Sequence, residues 1–189
     1  FWVWYFLQKY LNKSPLLLLI SSKMKKSYLI GGGNILSRDL EVIDKIIFED
    51  LPKTPIITVL PWTGKNPESQ KKYQDFLSEY FSGLGAFAIN FPTEDALRED
   101  LVKLINSSDM IYLPGGDTKQ LISSSVSKGL IPVLQNYNGI LVGNSAGTLA
   151  MAENILFLKD KTAPQTEFLF GLGLLGDQSY FHVHYEPSQ

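Results

Sequence analysis

The sequence contains no cysteine among its 189 residues. Disulfides, thiolate metal sites and a cysteine nucleophile are thereby excluded, and the absence fits a cytoplasmic protein. Histidine is scarce: His182 and His184 are the two in the chain, so any imidazole chemistry must use one of them. Charge of one sign is also lacking. The net charge is −2 and no long basic run occurs, which argues against nucleic acid as a partner. No apolar run approaches the roughly 20 residues that a membrane span needs. Even the aromatic opening "FWVWYFLQKYLNKSPLLLLISSK" is interrupted by Lys9 and Lys13, so no stable membrane span is expected.

What is present reads as a globular chain. Hydrophobic residues make up 44% and charged residues 19%, and the length suits one domain with a sizeable core. Residues 1–23 lack a starting Met. They read as a remnant of a signal peptide or anchor, as an interfacial helix, or as sequence upstream of a start at Met24. The last reading is favoured, because "MKKSYLIGGGN" begins as a β-first domain would. Residues 1–23 are therefore set aside as an N-terminal extension, and 24–189 as the domain.

Strand and helix patterns alternate along that domain. Tyr28–Ile30 is a short apolar strand feeding "GGGN". Asp39–Phe48 has Leu40, Ile43, Ile46 and Ile47 at helical spacing. "PIITVL" (55–60) is a β-branched run of the kind buried in parallel sheets. Glu68–Phe81 carries Tyr73, Phe76, Leu77, Tyr80 and Phe81 on one helical face. "AFAINF" (86–91) reads as a strand, and Thr93 as the cap of a helix over 94–106. "MIYLPGG" (110–116) is a strand ending in a glycine turn, followed by a helix over about 118–127. "GILVGN" (139–144) is the next strand. The alternation predicts an α/β fold with a mainly parallel sheet flanked by helices. Sites in such sheets lie at the carboxyl ends of strands, where Gly31–Gly33, Gly115–Gly116 and Gly143–Gly147 all fall.

"GNSAG" (143–147) matches G-x-S-x-G, in which a strained strand-to-helix turn lifts a serine hydroxyl clear of the sheet. Flanking glycines remove Cβ atoms that would collide there. An ordinary helix-capping serine or a phosphate-binding turn would also fit the five residues. "GGGN" lacks G-x-G-x-x-G spacing, and no "GK[ST]" follows any glycine cluster, so a nucleotide site is disfavoured. The chain holds 44 residues beyond Ser145, too few for a standard α/β-hydrolase. Near its end, "SYFHVHYEP" reads as a strand with His182 and His184 on one face. The pair could serve a base, a metal site with Glu186 as third ligand, or a solvated face.

The order "LIGGGN", "YLPGGDTKQL", "GNSAGT" and "VHYEP" resembles the dipeptidase E and cyanophycinase family of serine peptidases, from about Met24 to the C-terminus. The resemblance implies a flavodoxin-like, class I glutamine-amidotransferase-like three-layer sandwich. It also implies a triad of Ser145, His184 and Asp160, the last lying 15 residues beyond the serine. Glu153, Glu167 and Glu186 are the competing acids. The oxyanion hole would use Gly116 and Ala146, and Asp117 stands where many relatives have Asn. No cofactor or metal is implied.

The expected activity is hydrolysis of small peptides through an acyl-enzyme, by a monomer or homodimer. The alternative is a non-catalytic binding or structural module of the same fold. Acidic side chains in the family's substrates would want an arginine fork. Arg38 and Arg98 are the two available, and spacing places neither. The resemblance further implies a domain that continues past Gln189, so that 24–189 is read as truncated at its C-terminus.

Overall fold

The computed structural model describes residues 17–22, 25–64, 66–157, 166–176 and 180–181. The first sheet is formed by β1 (Leu17–Ser22), β2 (Lys25–Ile30), β3 (Ile56–Val59), β4 (Ala88–Asn90), β5 (Met110–Leu113) and β6 (Ile140–Asn144). Their spatial order is β1-β2-β6-β5-β3-β4. The five strands from β2 to β4 run parallel, and β1 pairs antiparallel along β2 at one edge. β1 thus comes from the segment set aside as an extension.

Strand alternation sends successive side chains to opposite faces, and each face is covered by helices. On one face Tyr28, Ile30, Ile57, Val59, Met110, Tyr112, Ile140 and Val142 pack against α1 (Glu41–Glu49) and α2 (Pro67–Leu84). On the other, Leu29, Ile111, Leu113 and Leu141 meet α3 (Arg98–Asn106), α4 (Thr118–Ser127), α5 (Ile131–Gln135) and α6 (Ala146–Met151). Each large apolar side chain buried this way contributes roughly 1.5–3 kcal/mol. The result is the expected three-layer α/β arrangement. A smaller sheet follows, with β7 (Asn154–Phe157) between antiparallel β8 (Glu167–Phe170) and parallel β9 (Tyr180–Phe181). Among the described residues no helix is long and apolar enough to cross a membrane.

Helix ends follow local chemistry, and some differ from the sequence reading. α2 begins where Asn66 accepts the Ser69 N–H at 3.0 Å and Pro67 takes a position needing no amide donor. α1 starts at Glu41 rather than Asp39, because a 3₁₀ turn over Ile35–Ser37 ends with Arg38 in the left-handed region at φ 60°. Thr93 does not cap a helix over 94–106. α3 starts at Arg98, after a turn in which the Ala96 N–H bonds Thr93 O. Glu94 is drawn to α4 instead: Ser124 Oγ donates to its carboxylate at 2.9 Å and Lys128 to its carbonyl. The strand expected over 86–91 is three residues long, Ala88–Asn90.

Candidate active site

β6 lies between β2 and β5. The three glycine turns that end these strands therefore meet at one edge of the sheet, although they are far apart in sequence. Asn34 settles the first of them by accepting the Leu36 N–H at 3.0 Å, which starts the 3₁₀ turn.

Ser145 is the junction of β6 and α6. Its backbone sits at φ 48° and ψ −106°, a sparsely populated region that costs on the order of 1–3 kcal/mol and persists only when its surroundings impose it. The surroundings are specific. The Ser145 N–H donates to Ile30 O of β2 at 2.9 Å, and Ser145 O accepts the Leu149 N–H of α6 at 3.0 Å. The buried Thr148 hydroxyl accepts the Ile30 N–H at 3.1 Å, and its one proton faces Ile30 O and Gly143 O, each at 2.7 Å. β2 and α6 are thus tied together on either side of the serine.

The flanking glycines are demanded by close approach. A Cβ on Gly147 would stand 1.9 Å from Leu113 O of β5, and one on Gly143 would stand 2.7 Å from the Thr148 N. The Gly115–Gly116 turn approaches from the β5 side: a Cβ on Gly115 would lie 3.6 Å from Ser145 Cβ. Gly116 adopts φ 131°, and a Cβ there would be 2.4 Å from Thr63 O. Asp117 then caps α4 by accepting the Gln120 N–H at 3.0 Å. Ala146, whose amide is the first of α6, is 3% exposed, and no side chain caps that helix end. Ser145, Gly116 and Ala146 are therefore brought to one place.

His184, His182, Asp160 and Glu186 lie outside the described residues. Among the described acids, Glu167 on β8 pairs with Lys119 in the first turn of α4. No group of three or more potential metal ligands occurs among the described residues. Neither arginine reaches the serine cluster. Arg98 lies against Gly129, past the C-terminal end of α4, about 15 Å along the helix from Asp117. Arg38 stacks over Tyr80 at 5.9 Å and pairs with Glu41 at 3.8 Å.

A buried polar group runs inward from the site. The Tyr112 hydroxyl faces Asn144 on one side and Tyr73 on the other, without good hydrogen-bond geometry to either. Burial pushes the Tyr73 hydroxyl up to about 12 and Tyr112 well above its ordinary value. Beyond them Asp44, 2% exposed, accepts the Tyr80 hydroxyl at 2.7 Å. Burial raises its carboxyl to about 6, opposed by the Tyr80 hydrogen bond and reinforced by Glu41.

The sequence reading missed the residues that hold the site from behind: Thr148, the loop at 61–64, Gln70 and Gln120. Thr148 had a signal in "GNSAGT", since a hydroxyl one turn into a helix can bond back to the preceding strand. The others had none, because their role depends on which strands become neighbours.

The fold and site define an α/β protein whose serine is held in a strained strand-to-helix turn at the carboxyl edge of a parallel sheet. The chain belongs to peptidase family S51, whose pattern matches residues 28–189. It is 28% identical over 106 residues to an uncharacterized peptidase of Pasteurella multocida (strain Pm70), which is 54% of this chain and 51% of that protein. The match thus spans about half the length of that curated relative. Two solved structures share the fold. A peptidase from an acI-B1 Actinobacterium superposes with a TM-score of 0.55 at 23% identity, covering 77% of this chain and 63% of that one. A putative peptidase E protein from Listeria monocytogenes EGD-e gives 0.50 at 17% identity, covering 69% of each chain.

Proposed function

We propose that the protein is a serine peptidase that hydrolyses small peptides through an acyl-enzyme on Ser145. The observation that carries this reading is the strained Ser145 backbone, set between two glycines that admit no Cβ and beside the Gly115–Gly116 turn. Membership of peptidase family S51 supports it. In this reading Ser145 is the nucleophile of an elbow. His184 takes its proton and returns it to the leaving amine. Asp160 holds the imidazole tautomer and stabilises the imidazolium. The backbone N–H groups of Gly116 and Ala146 stabilise the tetrahedral oxyanion, each worth roughly 3 kcal/mol. The reaction calls for no cofactor, and the protein acts in the cytoplasm.

Labelling with a fluorophosphonate tests the assignment. Ser145 is expected to label, and Ser145→Ala to lose both labelling and peptide hydrolysis. Labelling that survives the substitution overturns the nucleophile. Substituting the histidines separates their roles: His184→Ala abolishes turnover, while His182→Ala keeps a substantial fraction. Equal loss in both, relieved by added metal, would instead favour a shared metal site.

A further inference from the structure

Gly116 is exposed, lacks a side chain and sits at φ 131°. Its own chemistry therefore does little to hold its amide in one direction. The support comes from the loop behind it. Thr63 O accepts the Asp117 N–H at 2.8 Å and occupies the place where a Gly116 Cβ would stand. One peptide further on, Gly64 O receives two side-chain amides. Gln120 Nε2 of α4 donates to it at 3.2 Å, and Gln70 Nε2 of α2 donates to the same oxygen.

Gln120 thus engages the turn from both sides. Its backbone N–H bonds the Asp117 carboxylate at 3.0 Å, and its side chain holds the loop on which the turn rests. Its Oε1 is buried with no hydrogen-bond partner among the described residues. The donor end of the amide is the end in use, and the buried acceptor is tolerated at a cost.

We propose that Gln120 is a positioning residue for the oxyanion hole, acting through Gly64 and Thr63 on the Gly116 amide. This rests on the reading of Ser145 as nucleophile and Gly116 as oxyanion donor. Because misplacing a group by about 1 Å can cost up to ~100-fold in rate, loosening this support should lower kcat and leave KM in place.

The test uses the full chain and p-nitrophenyl acetate as acyl donor, counting only the hydrolysis that Ser145→Ala abolishes. Gln120→Glu keeps the shape and, at pH 8, replaces the donor with a carboxylate facing a carbonyl. It is expected to lose about tenfold in kcat with KM within about twofold. The variant-to-wild-type ratio should rise as pH falls from 8 to 5.5, because burial against a carbonyl raises the new carboxyl's pKa and the protonated acid regains a hydrogen to donate. Gln120→Leu should show the loss without the recovery. If Gln120→Glu does not fold, Gln120→Asn replaces it, its donor one methylene short, with the same kcat loss and no recovery.

Wild-type kcat in the substituted proteins overturns the proposal. So does a loss carried by KM, or a Gln120→Glu deficit that ignores pH. If Ser145→Ala hydrolyses the ester as fast as wild type, the nucleophile reading fails whatever Gln120 does, and this inference falls with it.

Discussion

The two faces of the parallel sheet are built from alternate residues of the same strands, yet they bury different chemistry. The face under α1 and α2 holds a carboxyl group and a run of aromatic hydroxyls, from Asp44 and Tyr80 to Tyr73 and Tyr112. The face under α3 to α6 pairs its hydroxyls close to home. Thr58 Oγ1 meets Ser108 Oγ at 2.7 Å, and Tyr137 donates to Ser108 O at 2.8 Å. It is also the face where backbones come closest, at Gly147 against Leu113. One face is thus tuned by contact distance and the other by proton occupancy. The same sheet should answer pH on one side and volume on the other.

The largest effect is expected on the contact-limited face. Gly147→Ala drives a Cβ to 1.9 Å from Leu113 O and 2.5 Å from its carbonyl carbon, and both are backbone atoms that cannot swing aside. A loss of about 3 kcal/mol or more is expected, read as a drop in the urea midpoint relative to wild type that is the same at pH 5 and pH 8. A tolerated alanine would break the comparison at its steric side.

Next comes Asp44. Its carboxyl titrates at about 6 in the fold, against an ordinary 3.8. The folded state therefore holds a proton that the unfolded state has lost between those values. Stability falls as pH rises through this window, and above it the buried carboxylate costs on the order of 2–3 kcal/mol. Asp44→Asn can still accept the Tyr80 hydroxyl. It should raise stability by that amount at pH 8 and by nearly nothing at pH 4. Chemical denaturation at the two pH values measures the difference, and a flat profile would remove the titrating face.

The smallest effect sharpens the contrast. Thr58→Val deletes one hydroxyl of the Thr58–Ser108 pair, while Ser108 Oγ keeps its bond to Leu104 O at 2.8 Å. The cost should be about 1 kcal/mol and should not change between pH 4 and pH 8. A pH-dependent loss there would break the contrast between the two faces.

Much of this architecture was legible in residue periodicity. The apolar face of α2, the β-branched run of β3 and the strand before "GNSAG" each announce their element. Ser145 and the two glycine turns were legible as local patterns. Their meeting was not, because it depends on β6 inserting between β2 and β5, and no local periodicity encodes strand order. α5 is five residues long, too short for a helical period to emerge. α3 begins late because Glu94 finds partners on α4, a tertiary contact that outweighs the capping propensity of Thr93. Nothing local marks Asp44 as buried, and only the packing of Tyr80 over it shows a buried acid. Asp160 and His184, assigned by resemblance, fall outside the described residues and stand as proposals.

The bonds that hold Ser145 join residues made far apart in time. Ile30 and Thr148 are separated by 118 positions. At the usual pace of about 5–20 residues per second, β2 waits roughly 6–24 s on the ribosome before α6 and its threonine exist. During that interval β1 can cover one edge of β2, while the other edge stays open until β6 arrives. That edge of β2 thus has no partner strand while those 118 residues are made. The step that closes that edge is also the step that sets the strained Ser145 backbone.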